Sequence, residues 1–312
     1  MLQVLQVTLP VFALVLCGYL AAARKMLPAG AVDGLNAFVY WFALPAMLFR
    51  VAGSRPIAEL FDPGLALGIA GSGLVCFALA YRLGRRGSLG RGPRPPSESA
   101  SLALAAAHGN VGYLGIALLG QLGEQHLPAV TLAIIVDNLV LIALALVILD
   151  SRPGAGRLQS ALTALRSVVI SPLLGSILLG IAWSLGGQTL PVVAETFTRM
   201  LAGAAGPCAL FAIGAALGGR KLSFDRESGS LIAIKLLVGP FAAWLLLYWL
   251  LPVDPMLAAA GVVCAALPAA SNSFIIAQRY GKPTAGISTA LLGGTALAAI
   301  SVSLVIWATG LR

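Results

Sequence analysis

Apolar residues run almost without interruption through ten stretches of the chain, at 3–22, 34–51, 63–82, 100–120, 126–149, 168–187, 195–218, 231–251, 256–279 and 284–309, each bounded by charged or turn-forming residues. A helix needs about 20 apolar residues to cross the hydrocarbon core of a bilayer. These windows carry no polar stripe with which to face water as the helices of a soluble bundle do. The pattern predicts an all-α polytopic membrane protein of ten transmembrane helices.

Two of the stretches are broken near mid-depth. The fourth reads Ala107-His108-Gly109-Asn110-Val111-Gly112-Tyr113-Leu114-Gly115, and the ninth reads Ala266-Leu267-Pro268-Ala269-Ala270-Ser271-Asn272-Ser273. Each Gly lowers helix propensity by up to about 1 kcal/mol, and Pro removes a backbone donor. A shift of 162 residues lays one break over the other and pairs Asn110 with Asn272, two of only four Asn in the chain. The same shift aligns Pro10 with Pro172, Gly18 with Gly180, Pro45 with Pro207, Phe49 with Phe211 and Pro93 with Pro255. Three proline pairs exceed the roughly half pair expected by chance, so the chain reads as two repeats. They cover 1–162 and 163–312, with five spans each. An odd number of spans inverts the second copy in the membrane, the organisation of many secondary transporters.

Helix breaks in corresponding positions of such repeats point to a transporter binding site. The half-helices that start after each break would present unpaired N–H groups with about half a positive charge each, which favours an anion. The substrate-binding candidates are Gly109, Asn110, Gly112, Tyr113, Pro268, Ser271, Asn272 and Ser273. The asparagines donate and accept, which suits a carboxylate or the carbonyls freed by the breaks. The competing reading is that small residues allow close helix crossing and the Asn pair is interhelical glue. Charged residues inside spans are expensive and mark sites by default. Asp137, next to Asn138, lies about 12 residues from the end of the fifth span and is a candidate proton carrier, weighed against a structural ion pair. Lys235, about five residues into the eighth span, is expected to snorkel to the interface. Reaching Asp137 would take roughly 10 Å of depth at 1.5 Å per residue. His108 is either a site residue or a satisfied polar group, and Pro45 and Pro207 are hinge or packing positions.

Composition agrees with the membrane reading: 59% of the 312 residues are apolar, 10% are charged and the mean hydropathy is +0.95, which excludes a soluble enzyme or a disordered chain. The formal net charge of +9 reflects orientation rather than a nucleic-acid partner, because the basic residues sit in loops. With an N-terminus outside, 15 of the 20 Lys and Arg fall on the cytoplasmic side, 4 on the outer side, and Lys235 lies within a span. This asymmetry places both termini on the outer side of a bacterial cytoplasmic membrane and makes the polar stretch 84–99 a basic cytoplasmic loop. The first span, followed by Arg24 and Lys25, reads as a retained helix rather than a signal peptide. Cys17, Cys76, Cys208 and Cys264 lie in apolar segments without metal-ligand spacing, as packing residues. No phosphate-binding Gly-x-x-x-x-Gly-Lys motif is present, so neither ATP hydrolysis nor a bound cofactor is expected. A proton or sodium ion is the coupling partner to consider.

The residues resemble the auxin efflux carrier family. The second span, Asn36-Ala37-Phe38-Val39-Tyr40-Trp41-Phe42-Ala43-Leu44-Pro45-Ala46-Met47-Leu48-Phe49, is similar to that family's Asn-x-Phe-Val … Leu-Pro-Ala-x-Leu-Phe signature. So are Asn110, Gly112, Gly115-Ile116 and Gly123-Glu124 of the fourth span, and Pro268-Ala269 and Ala277-Gln278-Arg279-Tyr280-Gly281 of the ninth. The resemblance covers essentially the whole chain. It implies two inverted five-helix repeats whose broken fourth and ninth helices cross, with Asn110 and Pro268 at the crossover, and transport of organic anions such as auxin, malonate or malate. Ala117 stands where Pro often follows Gly-Ile in the family, and the long central hydrophilic loop of many plant members is missing. The fold also resembles sodium/proton antiporters and bile-acid sodium symporters, whose acidic pair corresponds in place to Asp137-Asn138.

The sequence thus predicts a secondary transporter of small organic anions that works by alternating access. The rival within transport is a sodium- or proton-coupled carrier with its cation site at the crossover. An intramembrane enzyme lacks support: Gly71-Ser72-Gly73 has no evident His base and no Asp-rich metal motif occurs. A sensor or scaffold that has lost transport, and a homodimer, are left open by the sequence.

Overall fold

The computed structural model describes residues 2–53, 61–90, 92–149, 172–187, 190–218 and 224–311, which form helices and their connections, with no strand among the described residues. In chain order the helices are α1 (Leu2–Ala23), α2 (Ala31–Gly53), α3 (Pro63–Arg85), α4 (Pro96–Ala107), α5 (Val111–Leu122), α6 (Glu124–Leu149), α7 (Pro172–Leu185), α8 (Val192–Leu217), α9 (Arg226–Leu250), α10 (Pro255–Ala266), α11 (Ser271–Arg279) and α12 (Ala285–Thr309). Six of them are long and apolar enough to cross a membrane: α2, α3, α6, α9, α12 and, within α8, Val192–Ala216. The fourth and ninth apolar stretches are each two short helices, α4 with α5 and α10 with α11, because the chain leaves helical geometry at His108 and Leu267. The connection 150–167, the proposed boundary at 162, and Arg55, Arg91, Arg152, Arg157, Arg166, Arg220, Lys221 and Arg312 lie outside the described residues.

Local chemistry sets several helix starts. Asp62 caps α3 by accepting from the Leu65 amide at 2.6 Å, and Asp254 caps α10 by accepting from Met256 at 2.9 Å, each with Pro at the first helical position. Asp225 and Ser228 form a reciprocal capping box at the start of α9. From the polar stretch 84–99, Arg94 turns inward and pairs with Glu227 on α9, both buried, which ties the first half of the chain to the second.

The helices pack in two groups. In one, α1 runs along α8, α7 runs along α2, and α2 touches α8. Small residues allow the close approach. A side chain at Gly18 would collide with the Phe211 carbonyl of α8, and a Cβ at Gly180 of α7 would stand 2.6 Å from the Phe49 carbonyl of α2. The 162-residue shift carries the first of these contacts onto the second. In the other group α3, α4, α6, α9, α10 and α12 pack together, with Ser99–Ala107 of α4 buried throughout. Large apolar side chains such as Leu179, Met200, Phe241, Trp249, Ile300 and Trp307 point outward. An apolar exterior of that extent is suited to lipid rather than water.

Substituting Gly18 or Gly180 by Leu should destabilise the purified protein by about 1–3 kcal/mol each through overpacking. Gly203→Ala in α8, where a Cβ meets nothing within 4 Å, should be neutral or stabilising. Thermal melts of the three variants in detergent check this; a Gly18→Leu variant that melts like the parent would contradict the close packing.

Candidate functional site

The two breaks meet, backbone to backbone. Gly109 and Ala269 form an isolated antiparallel bridge, the Asn110 amide donates to the Pro268 carbonyl at 2.8 Å, and the Ala270 amide donates to the His108 carbonyl at 3.1 Å. A backbone group left unpaired in the membrane interior costs several kcal/mol, so each break satisfies part of what the other exposes. His108 and Ala270 are related by the same 162-residue shift that pairs the asparagines. Four helix ends converge here: the carbonyl ends of α4 and α10, and the amide ends of α5 and α11.

The amide ends border a cavity lined by Tyr40, His108, Gly109, Asn110, Val111, Gly112, Tyr113, Ile134, Asp137, Asn138, Leu173, Ala270, Ser271 and Asn272. Asn138 donates its amide to the Ile134 carbonyl at 2.7 Å, which leaves its oxygen as an acceptor. His108 Nδ1 is buried, 3.5 Å from Asp137 Oδ2, and without a hydrogen-bond partner. The carboxamides of Asn110 and Asn272 make no hydrogen bond among the described residues. The cavity wall therefore holds one buried unsatisfied group, His108 Nδ1, beside polar carboxamides free to bond a guest.

A second cavity shares Asp137 and Val111 with the first and is otherwise lined by Ser72, Cys76, Ala107, Lys235, Cys264, Ala265 and their neighbours. Asp137, 6% exposed, thus stands between two cavities. Lys235 departs from the expectation of an interfacial snorkel. It is 4% exposed, and its Nζ donates to the Ala265 carbonyl at 2.7 Å. The reason is the true start of its helix: α9 begins at Arg226, so Lys235 lies about 13 Å along it at 1.5 Å per residue. Lys235 and Asp137 face one cavity without a direct ion pair.

Of the sequence candidates, Gly109, Asn110, Gly112, Tyr113, Ser271 and Asn272 line the first cavity with His108, Asp137 and Asn138. Pro268 contributes its carbonyl to the junction instead. Ser273 is fully buried, and its hydroxyl donates to the Ala270 carbonyl at 2.7 Å, bracing the first turn of α11. Pro45 and Pro207 are outside the cavity wall; Pro207 is exposed on α8 beside Gly206, which packs toward Ala117 of α5. Sequence reasoning missed Tyr40 and Leu173 as wall residues. The signal for Tyr40 was Pro45: lacking an amide, it cannot hold a regular helical turn, and α2 widens into a π-turn at Val39–Ala43 that carries Tyr40.

A protein whose described residues are helical with an apolar exterior, and whose two broken helices meet beside a polar cavity, has the make-up of a multi-pass membrane transporter. Residues 3–306 match the family described as membrane transport protein, and the chain belongs to that family. It is 31% identical to the "Putative malonate transporter" of Rhizobium meliloti (strain 1021), over 97% of this chain and 95% of that protein. It is also 28% identical to the "Uncharacterized transporter YfdV" of Escherichia coli (strain K12), over 91% of this chain and 92% of that one, with the same figures for the Shigella flexneri protein. The family and these relatives are transporters, and this protein is a transporter, not an enzyme.

If the cavity wall is as described, Asn272→Cys in a background freed of the four native cysteines should react with a small thiol reagent. Ser273→Cys, one residue on but fully buried, should resist it. Mass spectrometry of the labelled variants reads the difference, and equal labelling of both would contradict the assignment.

Proposed function

We propose that the protein carries small organic anions of the carboxylate class across the membrane by alternating access, with the cavity at the junction of the two breaks as the binding site. The observation that carries the reading is that the amide ends of α5 and α11 and two unpaired asparagine carboxamides border one cavity. Helix amide ends stabilise negative charge, and carboxamides bond a carboxylate while accepting from any hydroxyl it bears. The malonate named for the Rhizobium relative belongs to this class and is the first substrate to test.

The architecture supporting this is ten spans in two inverted five-helix repeats, with the fourth and ninth crossing at the junction. The contacts of Gly18 and Gly180, exchanged by the 162-residue shift, support the inverted relation. Two related halves give two conformations of similar energy, one open to each side. The close-packed helices α1, α2, α7 and α8 supply a frame against which the other helices move. The membrane is the bacterial cytoplasmic one, with both termini outside, and the partners are the anion and the bilayer.

Asp137 favours a second component, cation coupling. A carboxylate on the wall of an anion site repels the substrate unless it is protonated or balanced. Asp137 protonated 3.5 Å from His108 would let an anion and a proton move together. The same residue supports the alternative of a sodium- or proton-coupled carrier with its cation site at the junction.

In proteoliposomes, Asn110→Ala should lower malonate flux at least about tenfold, one hydrogen bond to a charged group being about 1.5–3 kcal/mol, while the protein stays folded. Unchanged flux would refute the site. Asp137→Asn should flatten the pH dependence of that flux, and an unaltered pH profile would remove Asp137 from coupling.

A further inference from the structure

We infer that Lys235 is a resident cation at the junction, in the place where a carrier with paired helix breaks would hold a coupling sodium ion, so that this protein needs no sodium ion there. The inference deepens the proposed function and rests on its reading of the junction as the transport site.

The argument begins with the helix ends. α4 stops at Ala107 and α10 at Ala266, and the last carbonyls of a helix lack partners within it and carry about half a negative charge. Unwound carbonyls and half-helix carbonyl ends of this kind are what coordinate sodium in transporters with broken helices. Here the Lys235 Nζ donates to Ala265 of the α10 end at 2.7 Å. It also lies against the other break: a Cβ built on Gly109 would stand 3.3 Å from that nitrogen and 3.4 Å from the Cys264 carbonyl. One buried amine therefore reaches both breaks from a third helix. A side chain at Gly109 would press on the amine, which would have to shift by a few tenths of an ångström.

The surroundings give the amine a cation's role. Asp137 of α6, His108 at the end of α4, Cys76 of α3 and Cys264 of α10 are the titratable groups around it, and Asp137 and Lys235 share a cavity wall. The amine shares a cavity with one carboxylate and bonds the carbonyl end of α10 beside the break of α4, and leaves the amide ends of α5 and α11 to the substrate on the other side. The two halves of the junction thus divide by charge, with negative ends closed by Lys235 and positive ends open to an anion.

The test is thermal melting of the purified protein without substrate, in sodium chloride and in choline chloride at equal ionic strength. The parent and Lys235→Arg should melt within about 1 °C in the two salts, while Lys235→Met should melt lower in choline, by about 5 °C, and recover as sodium rises. The Lys235→Met/Asp137→Asn double variant should keep the sodium response, because the carbonyl ends still lack a cation. A double variant restored without sodium would reduce Lys235 to a partner of Asp137, and a Lys235→Met variant indifferent to sodium would overturn the inference. Should Lys235→Met not fold, the parent decides: sodium-dependent melting or sodium-dependent flux of the parent contradicts a resident cation. Because melting is read without substrate, these outcomes are independent of whether the carboxylate class is right.

Discussion

Three residues of each broken helix, 108–110 and 268–270, hold each other through backbone hydrogen bonds in the interior of the protein. In a bilayer no water reaches such groups, so a break in one helix is stable only where something satisfies its freed amides and carbonyls. Two breaks placed against one another meet that constraint in part and leave the remainder for side chains and a guest. The positions of Lys235 and Asp137, the unpaired asparagines and the cavity between the half-helices all follow from this arrangement.

The division of the junction by charge connects structure to transport. Amide ends favour an anion and carbonyl ends a cation, and Lys235 brings its amine to the carbonyl end of α10. Asp137 lines both cavities. The pairs α1 with α8 and α7 with α2 meet through glycine against backbone, a rigid contact suited to a frame. The frame also reaches the site, since Tyr40 of α2 and Leu173 of α7 line the cavity and α5 packs on α8.

Much of this was legible in the sequence, and for identifiable reasons. The helical class followed from apolar runs of spanning length, and the breaks from Gly109, Gly112 and Pro268, whose backbone effects are local. Asn110 and Asn272 stood out because polar residues at mid-depth need partners. Depth and direction were harder. Lys235 was read as interfacial because its helix starts earlier than its apolar run, at a capping box of polar residues that hydropathy does not count. Ser273 was read with its neighbours, although adjacent helical residues point about 100° apart and Ser273 faces the core. Tyr40 and Leu173 reach the cavity through tertiary packing, which no local pattern encodes.

The central claim is that a small carboxylate occupies the cavity beside the half-helix amide ends. The most direct measurement is protection: the rate at which a thiol reagent modifies Asn272→Cys, with and without malonate, in the presence of the same ionic strength of chloride. The account predicts that malonate slows the reaction in a saturable way while chloride does not, and that Asn110→Ala shifts the protection to higher concentration. Labelling that proceeds at one rate whatever the carboxylate, with the protein folded, would place the substrate elsewhere.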